Sequence, residues 1–542
     1  MSERPVLLDY AAFLHPPSAL FRDYLLGRPA VGPFFDGAHW DLDALVEHAP
    51  RARSLARPLE AVAGALARQQ QARGAPRAAE LALQLAAPGA VAVVTGQQAG
   101  LFGGPLYVLH KAVAAVKVAE ALRDRRSAPA VPVFWVASDD HDFAEVRSTT
   151  VLDESLQLHT LRYNPHREPV GEPASRIVLD DTIAALVEEL RAALPASPQR
   201  DAVLETVRAC YAPGATLASA FAALLSSLLP GLVVMDPAEP ELKAMMAPIM
   251  EREVVERSPT SRLAEETGPR LLQAGYHQQV PVRPGFLNLF VMAQGQRRAL
   301  AARNGTLEIR GLGAQLSIED AVRQLRAQPQ DWSPGVLLRP LAQDSVLPTA
   351  GYVGGPAEIA YHAQIGASYA HCGIPRPPLV PRPSLTVVEP AQARALEAES
   401  LSLPELQADS EALLSRWARE AYPDVEDAFT RSREDLQRDL RHVENVLGEH
   451  DPTLRAAADA ALGRALHQVD SLHEKAVRAL KKRDQTRADR LRRTRDALLP
   501  GGLLQERGLG LIGLVARHGL PVIDTIREAM DPWAKGHQVI YL

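Results

Sequence analysis

Asp139-Asp140-His141-Asp142 gathers three carboxylates around one imidazole within four positions. Such a set can bind a divalent cation, hold a histidine as acid or base, or hold an amine. Along a strand, Asp140 and Asp142 would face one side and Asp139 and His141 the other, so all four share a site only if the strand has ended. Acids also collect at strand ends and helix caps for purely structural reasons. Earlier in the chain, Thr95-Gly96-Gln97-Gln98-Ala99-Gly100-Leu101-Phe102-Gly103-Gly104-Pro105 offers the opposite chemistry. Its glycines let an anion approach the backbone, and the first amides of a following helix attract negative charge. Thr95, Gln97 and Gln98 add side-chain donors, and Lys111, about two turns into the helix, has the reach to meet a phosphate or carboxylate. Gly351-Tyr352-Val353-Gly354-Gly355-Pro356 repeats the glycine pair before a proline, so Gly354 and Gly355 are candidates of the same kind. An isolated Gly-Gly-Pro is equally an ordinary strand-to-helix turn. Asp344, beside Gln343, either orients an amine or a ribose hydroxyl or satisfies backbone amides, and Glu358, Tyr361 and His362 share one helical face.

These groups need elements to hold them. Val91-Ala92-Val93-Val94-Thr95 is a β-branched run that the glycine turn interrupts, and Pro105 is placed to start a helix running to about Arg123. Val131 to Ala137 is too apolar for a strand with one wet face, so the stretch reads as a βαβ unit with both strands buried. In such a unit the strand carboxyl ends share an edge, which brings the glycine turn and the Asp-His cluster to one crevice. Leu232 to Asp236 reads as a further buried strand ending in an acid, and residues 278 to 310 as inserted antiparallel hairpins. Breaks are expected at Pro16-Pro17 and Gly32-Pro33 in a largely helical start, and His537 to Leu542 reads as a last strand.

A chain of 542 residues exceeds one ordinary hydrophobic core, so at least two domains are expected. Its net charge of -6 gives no general reason to bind nucleic acid or an anionic membrane. Two cysteines, Cys210 and Cys372, exclude a disulfide scaffold and an all-cysteine metal site, and Cys372 lacks a basic partner that would mark a nucleophile. The start, Met1 to Pro5, is not followed by a signal-like apolar run, and the apolar stretch from Leu217 to Met235 is broken by Pro230-Gly231, so a cytoplasmic chain without a membrane span is expected. Beyond the proline-rich residues 375 to 383, Leu436, Leu440, Val443 and Leu447 form one apolar seam. Leu462, Leu466, Val469, Ala476 and Leu480 form a second, broken from the first at Gly448 to Pro452, which implies an antiparallel helical hairpin. Its second half, from Lys475 to Arg495, is strongly basic and reads as a solvated face rather than a phosphate site.

The ordered set of Thr95 to Tyr107, Asp140-His141-Asp142, Leu338 to Leu341, Gly354 to Tyr361 and Leu503-Leu504-Gln505-Glu506-Arg507 closely resembles the BshC family of cysteine ligases in bacillithiol biosynthesis, over nearly the whole chain. The resemblance implies an α/β fold whose Rossmann-like core is similar to class I aminoacyl-tRNA synthetases, with inserted segments and a C-terminal α-helical coiled coil that forms a homodimer. The expected division is a core over 1–385, a coiled-coil domain over 386–500 and a segment over 501–542 that packs back on the core. The implied activity joins cysteine to the amine of glucosaminyl-malate, with ATP activating the cysteine carboxylate and Mg²⁺ as the nucleotide's companion. On this reading Thr95, Gly96, Gln97, Gln98, Gly103, Gly104, Lys111, Gly354 and Gly355 bind substrate or nucleotide and Asp344 binds substrate. Asp140, His141 and Asp142 then orient the amine or transfer its proton. Two other readings stay open: a metal-dependent hydrolase using the Asp-His cluster, and a non-catalytic scaffold built on the coiled coil.

Overall fold

The structure, a computed structural model, describes residues 5–10, 13, 18–36, 39–408, 410–483 and 485–542. The expected break at Pro16-Pro17 and the residues Met1 to Arg4 lie outside the described residues. The chain divides into a unit of residues 1–388 and 503–542 and a second unit of residues 389–502.

At the centre of the first unit is a five-stranded sheet in the order Leu379–Pro381, Thr349–Gly354, Val91–Gln97, Ala130–Val136, Val233–Met235, with every pairing parallel. The Ala130–Val136 and Thr349–Gly354 strands are buried throughout, as continuous apolar runs require when helices cover both faces. Helix Leu106–Arg126 supplies the crossover between the first two strands in sequence, buries its whole apolar middle, and ends in Arg123, Arg125 and Arg126, whose charges suit a helix C-terminus. From Val91–Gln97 the chain adds strands first on one side and then, with Thr349–Gly354, on the other. The order reverses between these two neighbours, and their carboxyl ends open a crevice.

Two local expectations needed correction. The first strand does not stop at Thr95: Gly96 and Gln97 continue it opposite Trp135 and Val136. A Cβ on Gly96 would lie 2.7 Å from the Trp135 carbonyl oxygen, so glycine here permits close strand approach instead of ending the strand. The second concerns the turn that follows, where Phe102, Gly103 and Gly104 all take positive φ. A Cβ on Gly103 would come within 2.9 Å of Leu511, so the turn is pressed against the C-terminal segment. Leu106 N–H donates to Leu509 O at 2.8 Å and Leu511 N–H donates to Gly104 O at 3.0 Å, which occupies the helix start with backbone partners.

The inserted hairpins form a separate antiparallel sheet in the order Ala314–Leu316, Thr306–Ile309, Gln296–Arg303, Phe286–Ala293, Trp332–Pro334. A third sheet joins the chain ends: His537–Tyr541 lies antiparallel to Val6–Leu8 and parallel to Ser384–Val388. The apolar stretch from residue 217 resolves into helix Leu217–Leu228 and strand Val233–Met235. Among the described residues no helix is long and apolar enough to cross a membrane.

In the second unit, helices Pro423–His450 and Leu454–Arg483 run antiparallel, with His473 Nε2 2.6 Å from Glu426 and Arg433 paired to Asp470. Trp417, Ala418 and Val477 pack together with Leu480, while Val443 of the first seam stays exposed. Much of the basic stretch meets acids within the unit: Lys481 pairs with Glu411 at 2.6 Å, and Arg487 and Arg490 both reach Glu399.

Candidate active site

A cavity of about 560 Å³ occupies the crevice at the strand reversal. The carboxyl end of Val91–Gln97 contributes Gly96, Gln97 and Gln98, the end of Ala130–Val136 contributes Asp139 and Asp140, and the turn after Thr349–Gly354 contributes Gly355.

One wall is acidic. Because the strand ends at Val136, Asp139 to Asp142 lie in a turn and its side chains diverge. Asp139 and Asp140 both line the cavity with Glu145. Gln98 Nε2 donates to Asp140 Oδ2 at 2.8 Å and to Glu145 Oε2 at 2.8 Å, tying the two strand ends together. Behind Asp139, the fully buried Lys243 ammonium pairs with its carboxylate and donates to Trp332 O at 3.0 Å. Asp142 is absent from the cavity lining; its Oδ1 accepts Glu145 N–H at 3.2 Å and caps helix Phe143–Val146. His141 sits at the margin, its Nδ1 3.2 Å from Arg297 Nη1. Burial, and then the Arg297 charge, lower the His141 pKa against the pull of Asp140 and Asp142.

Much of the remaining lining is cationic and aromatic. Arg339 donates to Tyr361 Oη at 2.8 Å and Gln343 Oε1 at 3.0 Å, with its guanidinium 5.9 Å from the Trp135 ring. Arg382 lies 5.4 Å from the Tyr107 ring and donates to Glu506 Oε1 at 2.6 Å, and Arg507 adds a further cation to the lining. Glu506 is entirely buried, also accepting Leu385 N–H at 2.9 Å.

Lys111 faces the cavity but has no donor to spare. Its ammonium has three N–H bonds, and they go to Gly96 O at 2.7 Å, Gln97 Oε1 at 2.8 Å and the Glu358 carboxylate. Glu358 also accepts from Tyr352 Oη and from Gly355 N–H at 2.8 Å. Burial opposes its ionisation, but Lys111 and these donors outweigh it and hold the carboxyl below its ordinary pKa.

Of the positions read from the sequence, Gly96, Gln97, Gln98, Lys111, Asp139, Asp140, Gly355, Glu358 and Tyr361 meet at this cavity. Thr95, Gly103, Gly104, Gly354, Asp344, His141, Asp142 and His362 are not among its lining residues. The Thr95 hydroxyl donates to Val353 O at 2.8 Å and joins two strands. Asp344 is buried, accepting from Thr349 Oγ1 and Tyr369 Oη, each at 2.6 Å, and burial raises its pKa. At the first glycine turn the amides nearest the glycine pair are engaged within the protein: Gly103 N–H goes to Gly100 O and Tyr211 Oη, Gly104 N–H to Leu101 O, and Leu106 N–H to Leu509 O. Among the described residues no cluster of three or more His, Cys, Asp or Glu has an arrangement for a metal ion. Within the Asp-His group itself, Asp139 carries Lys243 and His141 carries Arg297, so two of its four donors are engaged by cations.

Sequence reasoning missed Arg297, Lys243, Arg382 and Tyr107. Arg382 lies in the proline-rich stretch read only as a connector, and Arg297 in a hairpin read only as an insertion. The signal that was present is chemical: an arginine in an otherwise apolar, proline-rich segment needs a partner, and Glu506 supplies it.

Comparison with known proteins agrees with this architecture. Residues 8–383 match the family model described as "Bacillithiol biosynthesis BshC, N-terminal Rossmann-like domain", and residues 385–542 match "Bacillithiol biosynthesis BshC, C-terminal coiled-coil domain". A protein of Salinibacter ruber named "Putative cysteine ligase BshC" is 33% identical over 548 residues, covering 99% of this chain and 100% of the relative. A protein of the same name from Koribacter versatilis is 32% identical over 531 residues, covering 96% and 97% of the two chains. With both domains matched in order and relatives aligned end to end, the chain belongs to the BshC family.

Proposed function

We propose that this protein is a cysteine ligase that joins the cysteine carboxyl to the amine of glucosaminyl-malate in bacillithiol synthesis. The observation that carries the reading is the mixed charge of the cavity lining at the strand reversal: the carboxylates of Asp140 and Glu145, and the Arg507 guanidinium. An amine is drawn to the first and an anionic group to the second, so the cavity orders a substrate that carries both. As the C–N bond forms the amine must lose a proton, and the Asp140 carboxylate, about one-third exposed at the wall, is available to accept it. ATP is the proposed source of carboxylate activation, and its phosphates would meet Arg507 at the cavity lining. The likeness of the relatives' name supports the ligase class; the substrates and the nucleotide rest on the family resemblance and on this lining.

The test is a ligation assay with cysteine, glucosaminyl-malate and ATP, followed by mass detection of the thiol product. Wild-type protein should form it, and Asp140→Asn should lose at least about tenfold in kcat/KM, equivalent to about 1.4 kcal/mol, with thermal stability nearly unchanged. Product formation that Asp140→Asn leaves intact would move the chemistry away from this wall. No product with any nucleotide would reject the ligase reading.

A further inference from the structure

The inserted hairpin of Phe286–Ala293 and Gln296–Arg303 brings Arg297 to the margin of the cavity. Its guanidinium is fixed on three sides. Nε donates to Ser333 Oγ at 2.8 Å, Nη2 donates to Pro334 O at 2.9 Å, and the plane lies 3.7 Å from the centre of the Phe290 ring. What remains is Nη1, 3.2 Å from His141 Nδ1. A guanidinium in a protein donates and does not accept, and it keeps its charge across the pH range of a folded chain. The nitrogen facing it must present a lone pair, so the ring proton belongs on Nε2.

We propose that Arg297 is a positioning residue that holds His141 as the neutral Nε2–H tautomer, so that His141 serves as a hydrogen-bond donor to a bound ligand and not as the general base. The only lone pair of that neutral ring is already given to Arg297, and taking up a proton at Nδ1 would set two donors and two cations face to face. The other charged groups around the ring act in the opposite sense: Asp140 Oδ1 lies 4.0 Å from Nδ1, and Asp142 adds negative charge on the same turn. From the packed hairpin the ring meets Arg297 and the Phe290 ring, 6.0 Å away. Burial and Arg297 prevail, and the ring's pKa is lowered. Proton acceptance at this wall then falls to a carboxylate. The donor role toward a ligand rests on the ligase reading, whereas the tautomer does not.

Long-range proton–nitrogen NMR on histidine-labelled full-length protein reads the tautomer directly, with the His141 signals assigned by their loss in His141→Gln. At pH 7 the expected pattern is an unprotonated Nδ1 and a protonated Nε2. An Nδ1–H ring or an imidazolium in the wild type would overturn the proposal without any further variant. Arg297→Met should raise the His141 titration midpoint by about one pH unit and mix the tautomers; a folded variant whose midpoint and tautomer do not change would also overturn it. If wild type yields no ligation product while His141 shows the Nε2–H pattern, the ligase reading falls and the tautomer assignment stands.

Discussion

Lys111 and Glu358 provide the clearest separation of a strut from a ligand-binding group. Lys111 is almost wholly buried and its three hydrogens are all committed within the protein. Replacing Glu358 by Gln leaves that ammonium buried without a counter-charge, and replacing Lys111 by Met leaves the Glu358 carboxylate, mostly buried at the cavity lining, without its ammonium partner. Each single change should therefore cost about 3 kcal/mol, the usual loss when one member of a buried pair is removed. The double variant removes both charges together and should cost about 4 kcal/mol instead of about 6, a coupling of about 2 kcal/mol. Urea unfolding followed by tryptophan emission suits the measurement, because Trp40, Trp135, Trp332 and Trp533 report on the α/β unit and only Trp417 on the other. Strict additivity would refute the strut. So would a Lys111→Met protein that keeps full stability but binds ATP or substrate tenfold more weakly, since that pattern belongs to a lysine spent on ligand.

Three further outcomes follow from the geometry. Gly103→Ala should destabilise by about 1–3 kcal/mol, because φ is 92° and the new Cβ meets Leu511, while calorimetric affinity for substrate in the folded variant stays the same. Burial holds His48 and His537 down at about 4, so the folded state prefers both neutral. The stability they contribute is complete above the unfolded pKa near 6.5 and is lost as pH falls through 4, on the order of 3 kcal/mol each; equilibrium unfolding free energies that stay flat between pH 6.5 and 5 would contradict this. Finally, Val443 and Val446 are exposed on the helical hairpin, and if a second copy covers them, Val443→Lys with Val446→Lys should halve the mass seen by light scattering.

The sequence made the sheet legible where a strand is buried on both faces, as in Ala130–Val136 and Val233–Met235, because continuous β-branched and aromatic runs have few other uses. The hairpin of long helices was legible for a related reason, its seams repeating over many turns. Gly96 was misread because its role depends on Trp135, a partner nearly forty positions away that local pattern does not reveal. The surroundings of the first glycine turn were not legible either. Its composition suits an anion, but the amides of Gly103, Gly104 and Leu106 are taken by Gly100, Leu101, Tyr211 and Leu509. Of the Asp-His cluster, Asp139 and Asp140 line the crevice while His141 and Asp142 do not, and this division of labour was not legible, since Lys243, Arg297 and Gln98 decide it from three other elements. Half of the site is thus a property of long-range pairing.

The bond from Leu106 N–H to Leu509 O has a consequence for synthesis on the ribosome. The N-terminal part of the long crossover helix emerges early, but the carbonyl that completes it, the Glu506 that neutralises Arg382, and the Leu511 that covers Gly103 all emerge near the end. At about 10 residues per second, roughly 40 s separate the two partners. During that interval the nascent sheet carries an unfinished turn, and for roughly its last 12 s an arginine without its acid, so the α/β unit completes itself only after the intervening helical unit has been made. A chain released a few dozen residues short would keep every strand of the central sheet and lack the parts that lock its first turn, which makes such a fragment a natural client for chaperones or proteases.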